Sequence, residues 1–238
     1  MSRQREIIRR AAEIFERKGY ADTTIEEIAE AVGIKREAIY YYFKNKAQIL
    51  TAVIRPQSVS LLDGIKDILA LQISSREKLL LALQNHLDRF NPSFLEMSVI
   101  ARDHQFFESL PEFNELSKIW RGYSQSWINL VTEGQESGQF IGDLNPKVVA
   151  FGILGMCNWL SRWYNPAKSV TAREIVRVYF QMVGGGLIKD FAANAATLPI
   201  SVEDSVMSLP TPSKRDGRKA PAAAEPKRRG RPKVKTAV

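Results

Sequence analysis

Three tyrosines in a row, Tyr40, Tyr41 and Tyr42, stand between cations, with Lys35 and Arg36 before them and Lys44 and Lys46 after. Such a run fits neither a one-sided helix nor a buried strand. If a short helix covers about 35–42, Ile39 faces inward and leaves Lys35, Arg36, Glu37, Tyr40, Tyr41 and Lys44 outside. A solvated face needs charge but has little use for two exposed tyrosines. A face pressed against DNA uses both, because cations neutralise phosphates and phenolic groups reach phosphates or thymine methyl edges. The plainer alternative is a hairpin whose tyrosines pack on a neighbouring domain.

Other chemistry is thinly represented. His86 and His104 have carboxylates nearby in sequence, Asp88 and Asp103, but no nucleophile motif or phosphate-binding glycine loop accompanies them. One cysteine, Cys157, and two distant histidines exclude a disulfide framework and a His/Cys metal cluster. No catalytic residue, metal or cofactor is expected. A hydrolase on a helical scaffold is the enzyme alternative, which a thioester-cleavage assay would test.

The elements that position the tyrosines are helical. Residues 3–18 place Ile7, Ile8, Ala11, Ala12, Ile14 and Phe15 mostly at spacings of 3 and 4, and Gly19 stops the helix. A short helix at 25–31 follows, capped by Asp22, Thr23 or Thr24, with Glu26 and Glu27 in its first turn. Gly33 then supplies a turn in which positive φ costs little. Ala29 is small where the two short helices must cross, and Ile39 points back to Ile25, Ile28 and Ala29, with Ile34 and Phe43 completing the inward set. Further helices are expected at 46–72, 76–90, 93–107, 112–137, 146–164 and 171–192, so the fold class is all-α.

Residues 5–50, through "AAEIFERKGYADTTIEEIAEAVGIKREAIYYYFKNKAQIL", resemble the DNA-binding domain of the TetR family of bacterial transcriptional regulators. Gly19–Tyr20, Thr24, Ile28–Ala29, Gly33, Tyr40 to Phe43 and Lys46 fall on family positions, with Tyr42 where a histidine is usual. The resemblance implies an N-terminal helix-turn-helix domain at 1–46 and a helical effector-binding and dimerisation domain at 47–194. It also implies phosphate contacts by Thr24, Tyr40 and Lys46. Lys35, Arg36, Glu37, Ala38 and Tyr41 would line the major groove, with Tyr42 at the backbone edge. Homodimerisation is expected through helices 146–164 and 171–192, where Val149, Gly152, Ile153, Met156, Cys157 and Leu160 form one apolar stripe.

The stretch at 140–175 resembles the subgroup that controls fatty-acid, sterol or aromatic-acid breakdown and responds to acyl-coenzyme A thioesters. The shared elements are Asp143–Leu144–Asn145–Pro146, Asn158–Trp159 and Arg162–Trp163–Tyr164 before Pro166. An acyl-CoA needs an apolar slot, a stacking surface and cations. Trp120, Tyr123 and Trp127 on one helix, Trp159, Arg162 and Trp163 on the next, and Arg102 are the candidates. Helical aromatic stripes also serve as ordinary packing, and a lipophilic drug-like or aromatic effector is the alternative ligand.

The net charge of +8 belongs to the tail. From Thr211 to Val238 ten Lys/Arg stand against Asp216 and Glu225, so residues 1–210 sum to zero. That tail has almost nothing to bury, and 195–238 is expected to be a disordered basic segment. Within "KRRGRPKVK", Gly230–Arg231–Pro232 resembles an AT-hook: an extended Gly-Arg-Pro turn suits the narrow minor groove of A·T-rich DNA. A merely solvated basic tail, or an architectural nucleoid protein that uses it for general DNA binding, are the alternatives. The longest apolar stretch, at 148–160, is shorter than the roughly 20 residues a bilayer demands. The expected setting is therefore cytoplasmic and nucleoid-associated, with no membrane partner.

Overall fold

A computed structural model describes residues 2–87, 111–165 and 168–190. Residues Met1–Asn194 form one compact unit. Among the described residues the regular structure is helical, apart from one antiparallel bridge between Phe140 and Ile188.

Helix α1, Arg3–Lys18, begins where the Ser2 side chain accepts from the Arg5 amide and ends at Gly19, whose φ of 86° few other residues adopt. Its buried face is Ile7, Ala11, Ile14 and Phe15, at the spacing of one helical stripe. Helix α2 spans Ile25–Val32 and α3 Arg36–Tyr40; α4, Lys46–Ala70, then runs unbroken through Pro56. Ala47, Ile49, Leu50 and Ile54 of α4 lie in the same buried cluster as the α1 stripe, Ile28, Ile39 and Phe43. Phe113 and Leu116 belong to that cluster too. The partition expected after residue 46 is therefore no gap in packing: α4 is common to both halves, and the segment that starts at Phe113 reaches into the head.

Helix α5 covers Ser75–Leu87, a 3₁₀ turn at Pro111–Phe113 leads into α6, Asn114–Glu136, and α7 covers Pro146–Asn158. The last helix, α8, is Ala172–Leu187. In the body α6 packs on α4 and α7, and α5 packs on α4, α6 and α8. Buried Lys78 locks three of these together, its Nζ donating to the Leu69 carbonyl at 2.9 Å and to Glu133 Oε1 at 2.6 Å.

Several expected boundaries shift for local reasons. The helix expected to 164 tightens into a 3₁₀ turn over Trp159–Arg162. The one expected to 192 keeps Gly184, Gly185 and Gly186 but ends at Leu187, because the chain then pairs with the segment after α6. There the Ile141 amide donates to the Leu187 carbonyl at 2.8 Å, and the Lys189 amide to the Gln139 carbonyl at 2.9 Å. The helix expected at 93–107, with Arg102, lies outside the described residues.

Candidate nucleic-acid interface and effector site

The turn that presents the tyrosines is built by short-range bonds. Thr24 caps α2 in a reciprocal box with Glu27: the Thr24 hydroxyl accepts from the Glu27 amide, and the Glu27 carboxylate accepts from the Thr24 amide. Buried Thr23 donates to the Gly19 carbonyl at 2.7 Å. Gly33 ends α2 in the left-handed region, φ 72°, and the Ile34 amide returns to the Ala29 carbonyl at 3.0 Å. Ile39, fully buried, anchors α3 against this frame.

What α3 leaves outside matches the expected set. Lys35, Arg36 and Glu37 are exposed, and Ala38 is half-buried. Tyr40 is 42% exposed and Tyr41 84%. Arg36 Nη1 lies 2.8 Å from Glu26 Oε1, Nη2 donates to the Tyr40 hydroxyl at 3.2 Å, and the guanidinium sits over the Tyr40 ring. Those neighbours raise the Arg36 pKa, first through the Tyr40 bond and then the Glu26 charge. Tyr42 is half-buried and meets Tyr41 edge-on, with ring centroids 5.0 Å apart.

Lys46, for which the resemblance implies a phosphate contact, is bonded within the head. Its Nζ donates to the carbonyls of Tyr20 at 2.7 Å, Thr23 at 2.6 Å and Ala21 at 3.2 Å. An ammonium has three protons, and here each has a carbonyl. Burial lowers the Lys46 pKa, with Asp22 and Glu27 pulling the other way. In this arrangement Lys46 ties α4 to the loop before α2 and so holds the reading helices in place.

In the helical body α5, α6 and α7 meet at a buried polar cluster. His86 Nδ1 lies 2.8 Å from the Tyr123 hydroxyl, and the two rings stack at 5.9 Å between centroids. Trp127 stands edge-on to both, with its centroid 6.5 Å from that of His86 and 6.4 Å from that of Tyr123. Trp127 Nε1, His86 Nε2 and Asn158 Oδ1 are buried without a hydrogen-bond partner. Burial pushes His86 down to about 4; Asn158, beside the ring, opposes the shift but is not in hydrogen-bonding geometry. Cys157 next to it is buried as well, and burial pushes its thiol up to about 12, so no thiolate is available at neutral pH.

Residues 7–53 match the family of bacterial regulatory proteins named for tetR, and residues 72–187 match the tetracyclin repressor-like C-terminal domain. The chain belongs to the TetR family of DNA-binding transcriptional regulators. Among its relatives, the transcriptional repressor KstR2 of Mycolicibacterium smegmatis is 26% identical over 78% of this chain and 91% of its own. The solved ketosteroid regulator KstR2 of Mycobacterium tuberculosis shares the fold with a TM-score of 0.71, at 24% identity over 79% of this chain and 96% of that one. AibR, solved with isovaleryl coenzyme A and operator DNA, superposes with a TM-score of 0.66 at 22% identity, over 78% of this chain and 98% of that one.

In this TetR-family chain the described residues among those expected at the effector stand in three settings. Tyr123 and Trp127 come together in the buried cluster, as one helix stripe. Trp120 packs against the head cluster and donates its indole N–H to Ser58 Oγ at 3.1 Å, which makes it a strut between halves. Trp159 and Trp163 are 64% and 50% exposed, with the Arg162 guanidinium over the Trp159 ring at 5.8 Å. Trp159 continues the exposed stripe of Gly152 and Gly155 at helical spacing. His86 was not among the expected site residues. A signal was present, since it follows Leu79, Ala82 and Leu83 at helical spacing and so shares their buried face.

Burial of His86 predicts acid sensitivity. Above pH about 6.5 the ring is neutral in both the folded and unfolded chain. Between about 6.5 and 4 the unfolded chain takes up a proton that the folded chain refuses, so stability is lost as the pH falls. The whole contribution is ~3 kcal/mol. Melting curves between pH 7 and 4.5 should therefore show a steeper decline for the wild type than for His86→Phe, whatever the variant's starting stability. Equal slopes would contradict the assignment.

Proposed function

We propose that the protein is a homodimeric repressor that binds a palindromic operator and releases it when an acyl-coenzyme A thioester enters the helical body. The observation that carries the effector reading is the His86–Tyr123–Trp127 cluster: an aromatic interior where three helices meet, holding polar atoms the protein does not satisfy. Enclosed apolar walls with a few polar groups are what small-ligand sites consist of. Arg162 over Trp159 offers, on an exposed surface, the cation and ring that a nucleotide end requires. The likeness to AibR supports the same ligand class. A ligand shifts the chain only through different affinity for its two states, so binding must favour a spacing of the two heads that no longer fits half-sites about 34–36 Å apart. The direct test is operator release by a panel of acyl-CoA thioesters beside the matching free acids.

Dimerisation rests on the outer faces of α7 and α8. Val148, Phe151, Gly152 and Gly155 are exposed along one stripe of α7, and Met182, Gly185 and Gly186 are exposed on α8. This is not the stripe the sequence suggested: Ile153, Cys157 and Leu160 turn inward as core, as does Ile175 of α8. A Cβ added at Gly152, Gly155, Gly185 or Gly186 meets nothing within 4 Å in the protomer. Helical glycine costs about 1 kcal/mol against alanine, a cost without purpose unless a second copy approaches there. Gly155→Glu is expected to leave the melting temperature of the protomer nearly unchanged and to weaken the dimer about 100-fold in sedimentation, because it buries an unpaired charge at the contact. A dimer of unchanged affinity would move the interface elsewhere.

The basic tail, with Gly230, Arg231 and Pro232, lies outside the described residues. We infer a second, minor-groove contact beside the operator. Truncation after Leu209 should weaken binding most on A·T-rich flanks and flatten the salt dependence by about 0.9 in log–log slope for each phosphate that the tail neutralises. Equal affinities and equal salt slopes on A·T-rich and G·C-rich flanks would show that the tail does not touch DNA.

A further inference from the structure

We propose that the buried cluster receives an uncharged oxygen of the effector, with the ring N–H groups of Trp127 and His86 as donors and the Asn158 amide oxygen as acceptor. The proposal rests on the acyl-thioester reading above and specifies what that ligand must carry.

Trp127 is fully buried and His86 2% exposed, so neither ring nitrogen is reached by bulk solvent. A buried polar atom left unpaired is destabilising, and here three such atoms belong to one cluster. Indole N–H only donates. For His86 the proposal assigns the tautomer. With the Tyr123 hydroxyl, 2.8 Å from Nδ1, as donor, the ring hydrogen stands on Nε2, and the Asn158 side chain is beside the ring. The unpaired set is then two donors and one acceptor. A carbonyl oxygen takes both donors, and a hydroxyl takes both and returns its own hydrogen to Asn158 Oδ1.

Charge argues against a carboxylate in this position. Among the described residues only burial and Asn158 act on the His86 ring, and no charged side chain does. With no ion partner among those residues, an anion brought there would lose its hydration at a cost well above that of a neutral oxygen. The oxygen is either the thioester carbonyl or a ketone or hydroxyl further along the acyl body, and two ligand pairs separate these sources.

The first pair is octanoyl-CoA and its S-octyl-CoA thioether, which lacks only the carbonyl oxygen. The second is cyclohexylpropanoyl-CoA and its ring-ketone counterpart. Calorimetry on the full chain should show the oxygen-bearing member binding about tenfold tighter or more in one of the pairs, and that pair names the oxygen. In the wild type the indole proton resonance of Trp127, assigned by its loss in Trp127→Phe, should move downfield with that member alone. His86→Phe and Trp127→Phe should each erase the preference. Binding without a preference, a preference that survives both substitutions, or one that leaves the Trp127 resonance unmoved overturns the proposal and leaves the acyl-CoA reading standing. If none of the four compounds binds, both fall.

Discussion

A chain carrying Arg36→Ala together with Tyr41→Ala is expected to fold and dimerise as the wild type does and to lose at least about 100-fold in operator affinity. Both side chains stand outside the core, Tyr41 at 84% exposure, so stability should change by only about 0.5 kcal/mol. Arg36 is held ready by Glu26 and Tyr40, in a surface pairing of small intrinsic worth that a DNA partner can replace. A base contact is worth about 1–3 kcal/mol, and in a two-fold protein each substitution acts at both half-sites. Fluorescence anisotropy on a duplex enriched from a random pool by the protein itself measures the loss, with sedimentation confirming the dimer. Full binding by the double variant would remove α3 from the interface.

Gly134→Ala is expected to be the most damaging single methyl in the described chain. The added Cβ would lie 2.1 Å from Phe140 Cδ2 and 2.4 Å from Cε2, distances no side chain tolerates. Phe140 has no room to give, being fully buried and fixed by its own amide N–H, which donates to the Gly134 carbonyl at 2.8 Å. Its segment is also stitched to the end of α8. Forcing that ring aside combines overpacking with a displaced aromatic, about 3 kcal/mol together. For a chain of this size the melting temperature should drop by roughly 6–12 °C. Gly142→Ala is the contrasting control, since a Cβ there meets nothing within 4 Å in the protomer and lies off the proposed dimer face. A variant at position 134 that melts with the wild type would show that the ring does not sit where described.

The reading head was legible because its determinants are local. Thr24 with Glu27, Gly33 and the inward Ile39 each act within a few residues of chain, and the structure contains all of them in the expected roles. The carbonyl bonds of Lys46 were harder to foresee, because the partners lie more than 20 residues earlier and leave no trace in its own surroundings. Helix α7 is apolar on all sides, so periodicity could not say which face turns inward; only the packing of α6 decides that Ile153 and Cys157 are core. Trp120, Tyr123 and Trp127 form a genuine stripe, yet α6 passes from the head to the body and gives its first tryptophan to one and its last to the other. His86 has no catalytic companion in sequence, and its place on a leucine-rich face was the informative feature.

Operator release measured against a ligand panel tests the account most directly. With the enriched duplex and the full-length protein, anisotropy is followed as acyl-CoA thioesters or their free acids are added. The account predicts that at least one thioester weakens operator binding by tenfold or more, equivalent to about 1.4 kcal/mol of coupling, and that its free acid does not. Release by a free acid or another small molecule while every CoA thioester leaves the complex intact would contradict it.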